Sequence, residues 1–142
     1  MSITRFVGKY EFLSNMYPVL LHLNGELYPS AEHAFQAMKS LDKDVRLGMS
    51  VCPSAKEAKR AGRRIKLRPD WEEVKVDIMY QVLKAKFADP TLAQLLKETG
   101  VEELIEGNTW GDTFWGVCRG KGRNELGKLL MRVRTELEDK NM

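Results

Sequence analysis

A carboxylate, an amide and an amine, Glu32, Gln36 and Lys39, follow one another at spacings of four and three, which stacks side chains along one helix face. Beside them Ala31, Ala34, Phe35, Met38 and Leu41 form an apolar stripe. A carboxyl next to such a stripe is poorly solvated and holds its proton to higher pH. It can then protonate a leaving group and afterwards activate water. An ordinary solvated flank would carry the same three residues, with Glu32 favoured by the positive helix N-terminus.

Two lysines stand out further along. Val74, Val76, Ile78, Met79, Val82, Leu83 and Phe87 span a wide apolar arc, with Glu73, Asp77, Gln81 and Lys84 opposite, and Lys75 and Lys86 fall inside the arc. An ammonium there must extend to water, pair with a carboxylate or lose its proton, and the last makes it a nucleophile or base.

Residues 108–123 hold Trp110, Trp115, Asp112, Gly111, Gly116, Gly120, Gly122, Arg119, Lys121 and Arg123, and Asn124 follows as a candidate helix cap. Aromatic faces stack a base, glycines let backbone N–H groups approach an anion, and Lys or Arg neutralises phosphate. A helix N-terminus adds a favourable dipole. The two tryptophans could equally be hydrophobic anchors. The segment lacks the Gly-Lys-Ser/Thr of a phosphate-binding loop and the dinucleotide fingerprint. His22 and His33 have no metal-ligand spacing and read as structural, and neither Cys52 nor Cys118 has a dyad partner nearby in sequence.

These groups require a frame. The chain has 142 residues, 43% hydrophobic and 30% charged, enough for one domain spanning residues 1–142. Its net charge of +3 is too small for wholesale phosphate-backbone binding but suits a local anion site. The basic run Lys56, Lys59, Arg60, Arg63, Arg64, Lys66 and Arg68 reads as a solvated helix face or a nucleic-acid contact. No signal-peptide core and no long apolar run is present, so a cytoplasmic protein without membrane association is expected. Strands are expected near 3–7, 19–23 and 26–28, the last two joined by Asn24-Gly25, which accepts the positive φ of a tight turn. Helices are expected over 31–41, 55–64, 71–88, 91–98 and from Asn124 onward, with 101–106 ambiguous and 107–123 a long ordered loop. The class is α+β, a single helix-dominated domain with a small antiparallel sheet near the N-terminus.

Set in order, Phe12-Leu13-Ser14-Asn15, Tyr17-Pro18, the run Tyr28 to Lys39 (YPSAEHAFQAMK), Trp71-Glu72, and Leu83 to Phe87 (LKAKF) resemble the NADAR family of YbiA-like N-glycosidases. Leu104-Ile105-Glu106, Asp112 to Gly116 (DTFWG) and Gly122 to Met131 (GRNELGKLLM) continue the likeness over nearly the whole chain. The resemblance implies hydrolysis of a bond between ribose C1′ and nitrogen, without metal, flavin or nicotinamide cofactor. Two substrate classes are implied: phosphorylated ribosylamino-pyrimidine intermediates of riboflavin synthesis, or ADP-ribose on guanine in DNA or RNA. Glu32 matches the family's functional glutamate, and Trp71, Asp112 and Trp115 occupy other characteristic positions. Catalysis is expected from Glu32, Asp112 and Lys39, with Lys86 the other candidate for a Schiff base. Substrate contacts are expected from Ser14, Asn15, Gln36, Trp71, Lys86, Trp115, Gly116, Arg123 and Asn124. Met16 stands where an aromatic is common, and Val117-Cys118 where a glycine often follows. A module binding NAD-derived or ADP-ribose ligands without turnover would use the same loop, although it would have no need of Glu32 and Asp112.

Overall fold

In the computed structural model the structure describes residues 2–140, which divide into two compact units. One runs from Asn15 to Lys86, and the other combines the segment up to Ser14 with the chain from Phe87 onward.

The Asn15–Lys86 unit opens with the expected hairpin, β2 (Pro18–Leu23) and β3 (Glu26–Ser30), paired antiparallel with Leu21 opposite Tyr28 and Leu23 opposite Glu26. Asn24 and Gly25, at φ 51° and 82°, form the turn, since two successive positive φ angles match the twist of the paired strands. Leu21, Leu23 and Tyr28 face inward while Leu20 and Leu27 stay exposed.

Ser30 caps α1 (Ala31–Ala37): its Oγ accepts the His33 N–H at 3.1 Å and lies 2.7 Å from His33 Nδ1. His33 Nε2 lies 3.0 Å from the Cys52 carbonyl oxygen, so this histidine bridges two segments. All of α1 is buried, Glu32 and Gln36 included. The helix ends sooner than its periodicity suggests. Lys39 N–H and Ser40 N–H bond the carbonyls of Gln36 and Ala37, a tightened three-residue turn. Ser40 Oγ then accepts the Asp42 N–H, and Asp42 caps α2 (Lys43–Ser50). Lys39 therefore lies two residues beyond the end of α1, though still within electrostatic reach of Glu32, and Leu41 is 61% exposed rather than in the core.

Ser54 caps α3 (Ala55–Gly62) through the Glu57 N–H, and α4 (Trp71–Lys86) buries Trp71, Met79, Val82, Leu83 and Lys86. The helix expected over 55–64 and the one expected to reach residue 88 both stop two residues early.

In the other unit only β1 (Ser2–Ile3) of the expected first strand forms, parallel to β4 (Glu103–Leu104). The partner strand is only two residues long, and a 3₁₀ turn over Gly8–Leu13 follows. Asp89 caps α5 (Pro90–Glu98), with Pro90 in the first turn, where its missing N–H is harmless. The loop expected over 107–123 contains a short parallel pair, β5 (Gly107–Asn108) with β6 (Val117–Cys118). The terminal helix α6 (Glu125–Asp139) buries Leu126, Leu129, Leu130 and Val133 as its spacing predicts. Buried Arg134 donates to Thr99 Oγ1 at 2.8 Å, tying α6 to the end of α5. Both cysteines are free thiols. Among the described residues no helix is long and apolar enough to cross a membrane.

Candidate active site

Glu32 is 8% exposed, in the first turn of α1. Its backbone N–H donates to the Asn15 carbonyl at 2.9 Å, so Asn15 fixes the point where the helix begins. Its Oε2 accepts Gln36 Nε2–H at 2.6 Å, the four-residue contact legible in the sequence. Burial pushes the Glu32 carboxyl above the usual carboxylate range, opposed by the Gln36 bond and by Lys59, Lys39 and His33. Burial lowers the Lys39 amine, Glu32 opposes this, and Arg63 and Lys59 reinforce it. The unit thus gathers a carboxyl inclined to keep its proton and an amine inclined to release one, each acting on the other's charge.

Lys59 and Arg63, from the basic run, act on this pair, whereas Lys56, Arg60, Arg64 and Lys66 are exposed. Arg68 instead binds Asp70 at 2.7 Å. The two lysines of the apolar arc diverge. Lys75 pairs with Glu72 at 2.7 Å, while Lys86 is fully buried and its amine is lowered by burial from 10.5 to about 7. Buried Trp71 packs on Phe35 with ring centroids 5.2 Å apart. Asn15 is also buried and donates Nδ2–H to Met79 Sδ at 3.4 Å, and Ser14 ends the 3₁₀ turn of the other unit.

In that other unit the 107–123 loop is organised around Asn108 and Asp112. Asn108 Nδ2 donates to Glu106 Oε2 at 3.0 Å and to the Asp112 carbonyl at 2.9 Å, and its Oδ1 accepts the Asp112 N–H at 3.0 Å. Asp112 Oδ1 accepts the N–H groups of Phe114 and Trp115 at 3.1 and 2.9 Å. This folds the Asp-Thr-Phe-Trp-Gly run into a tight turn. Gly116 is required because a Cβ there would overlap the Glu106 carboxylate and carbonyl. Trp115 meets Phe114 edge-on at 4.8 Å, and the Arg123 guanidinium lies 4.7 Å from the centroid of the Phe114 ring. Trp110 is 62% exposed.

Two expectations for this loop are corrected. Asn124 occupies the cap position of α6 but is left-handed at φ 54° and makes no side-chain cap. Its amide instead donates to the Leu104 carbonyl at 2.9 Å and accepts the Glu106 N–H at 3.0 Å, fastening the helix start to β4. The first amides of α6 do not form an open anion cradle either. Glu125 N–H bonds the Phe114 carbonyl and Leu126 N–H that of Trp115, because the turn made by Asp112 directs those carbonyls at the helix end. Gly120, at φ 77° after Arg119 at φ 53°, serves the tight turn between Cys118 and Lys121.

Sequence reasoning overlooked Gly62, Glu106 and Asn108. Gly62 carried one signal, a glycine inside a helix where alanine is favoured; Asn108 bonds Glu106 and Asp112 two and four residues away, but in an irregular loop no helical or strand period flags such a pair. Among the described residues no group of three or more His, Cys, Asp or Glu side chains is placed to hold a metal ion.

The sequence profile of the NADAR domain matches residues 5–138. The N-glycosidase YbiA of Escherichia coli (strain K12) is 40% identical over 132 residues, covering 90% of this chain and 82% of that protein. The riboflavin biosynthesis protein VVA0006 of Vibrio vulnificus (strain YJ016) is 41% identical over 134 residues, covering 90% of this chain. That match spans only 36% of the Vibrio protein's own length. The NMR structure of the E. coli protein YbiA superposes with a TM-score of 0.86 at 35% identity, covering 99% of this chain and 89% of that one. With its profile matched almost end to end and its buried glutamate on the first turn of α1, the chain belongs to the NADAR domain family.

Proposed function

We propose that the chain is an N-glycosidase, a hydrolase that cleaves the bond between ribose C1′ and a nitrogen, with Glu32 as the acid/base. The observation that carries this reading is the state of Glu32: a buried carboxyl inclined to stay protonated, with Oε2 held by Gln36 and a lysine of lowered pKa within electrostatic reach. Breaking C1′–N requires a proton on the departing nitrogen and a nucleophile at the sugar carbon. Glu32 gives its proton to the nitrogen as the bond breaks. The Lys39 amine, in its deprotonated form, adds to C1′ through its lone pair, and transfer of one of its protons to O4′ breaks the C1′–O4′ bond and leaves a protonated Schiff base. Water, activated by the Glu32 carboxylate, adds to C1′ and releases the amine and the sugar. Lys39 is preferred to Lys86 because a nucleophile must meet C1′, and Lys86 is fully buried whereas Lys39 is half-buried. In the other unit, Asp112, Trp115 and Arg123 carry the chemistry suited to a ribose hydroxyl, a base and a phosphate.

The Vibrio relative's name, riboflavin biosynthesis protein, favours a phosphorylated ribosylamino-pyrimidine as substrate. ADP-ribose on guanine in DNA or RNA is the second reading, favoured by the exposed cations Lys56, Arg60, Arg64 and Lys66 on and after α3. Mass spectrometry of the chain with each substrate separates them: free ribose phosphate from the pyrimidine, or free ADP-ribose from the oligonucleotide, identifies the branch. Release from neither, with ADP-ribose still bound by folded protein, would make this a ligand-sensing module.

A further inference from the structure

Gly62 ends α3 at a backbone angle open to any residue, a position where alanine would ordinarily be favoured. The reason for a glycine is across the helix contact. A Cβ on residue 62 would lie 2.5 Å from Gln36 Cδ and nearer still to its Oε1, so α3 closes onto the amide of Gln36. Gln36 is 5% exposed, and its Oε1 is buried without a hydrogen-bond partner among the described residues. The amide is therefore fixed by two things: the wall that Gly62 leaves and the bond from Nε2 to Glu32 Oε2 at 2.6 Å.

We infer that Gly62 is a positioning residue for Glu32, its missing side chain leaving Gln36 the one seat from which its N–H reaches the Glu32 carboxyl. With the donor on Oε2, the proton of the neutral acid belongs on Oε1, the oxygen that would deliver it. A side chain on residue 62 displaces the Gln36 amide and removes the donor, leaving only Lys59, Lys39 and His33 to oppose the effect of burial on the carboxyl. The catalytic meaning rests on the reading of Glu32 as acid/base; the seating of Gln36 does not.

The test is direct titration of the Glu32 carboxyl by ¹³C NMR in wild type, Gly62→Ala, Gln36→Ala and the double variant. The charged or titratable groups facing Glu32 are Lys39, Lys59 and His33, and none of them changes in these proteins. Because the Gln36 bond favours the carboxylate, Gly62→Ala and Gln36→Ala should both move the midpoint upward. The double variant should titrate like Gln36→Ala alone, since the group with which the methyl collides is gone. A folded Gly62→Ala that titrates like wild type would overturn the inference, as would a double variant showing the sum of the two shifts. If Gly62→Ala does not fold, the double variant must recover the stability of Gln36→Ala; its failure to do so would place the need for glycine elsewhere and also refute the inference. The titration requires no turnover, so a protein that cleaves neither substrate bears on the proposed function and leaves this test intact.

Discussion

Replacing Lys86 with methionine should stabilise the protein at neutral and acidic pH and do little in alkali. Methionine nearly matches the shape of the lysine stem and carries no charge. The side chain is fully buried, and burial lowers its amine from 10.5 to about 7. Below pH 7 the amine is protonated both folded and unfolded, and the folded state bears the whole desolvation cost. A fall from 10.5 to about 7 corresponds to about 5 kcal/mol at 1.36 kcal/mol per pH unit. Between the two values the unfolded chain binds the extra proton, so wild-type stability should rise with pH by up to about 1.4 kcal/mol per unit from this group. Lys86 also takes part in interactions that methionine would not make, so the full figure is an upper limit. Urea unfolding of both proteins at pH 6, 8 and 10 measures the difference. The expected result is a methionine variant more stable by a few kcal/mol at pH 6, with the gap closing toward pH 10. A gap independent of pH, or a less stable variant at pH 6, would mean that Lys86 is a charged and well-paired group, and the burial argument would fail.

Borohydride added during turnover should trap a sugar adduct in wild type and in Lys86→Met but not in Lys39→Ala. An adduct persisting in Lys39→Ala would remove Lys39 from the mechanism, and no adduct in any protein during demonstrated turnover would favour direct attack by water. Asp112→Ala removes the acceptor of the Phe114 and Trp115 N–H groups. It should lower stability by about 1–3 kcal/mol and raise KM, measurable by thermal unfolding and steady-state kinetics. Asn124→Ala leaves the Leu104 carbonyl and Glu106 N–H without their side-chain partner and should cost a similar amount. Asn124→Gly, which relieves the left-handed backbone but restores neither bond, should recover only a part.

What could be read from the sequence was what is fixed locally. Asn24-Gly25 specified its turn and the spacing of Glu32 and Gln36 their contact, because each depends on neighbours within four residues. The buried state of Lys86 was present as one of three outcomes in the apolar arc, and only packing could select among them. Lys39 falls outside α1 because the helical period continues past Ala37, whereas the Lys39 and Ser40 N–H groups turn back to the carbonyls of Gln36 and Ala37 and end the helix. Asn124 looked like a cap by type and position, but its partners are 18 and 20 residues away, where no spacing rule reaches. Gly62 belongs to the same group, since its neighbour is on another helix.

The central claim is that Glu32 supplies the proton that frees the nitrogen, and single-turnover cleavage by wild type and Glu32→Gln across pH tests it most directly. Glutamine keeps the size of the side chain, so folding and ligand affinity should hold while the chemical step falls by about 10²–10⁴-fold. Wild-type cleavage should decline as pH rises through the elevated Glu32 pKa, because the acid is then lost, and the residual rate of Glu32→Gln should show no such limb. A Glu32→Gln protein that is folded and cleaves at the wild-type rate would contradict the account.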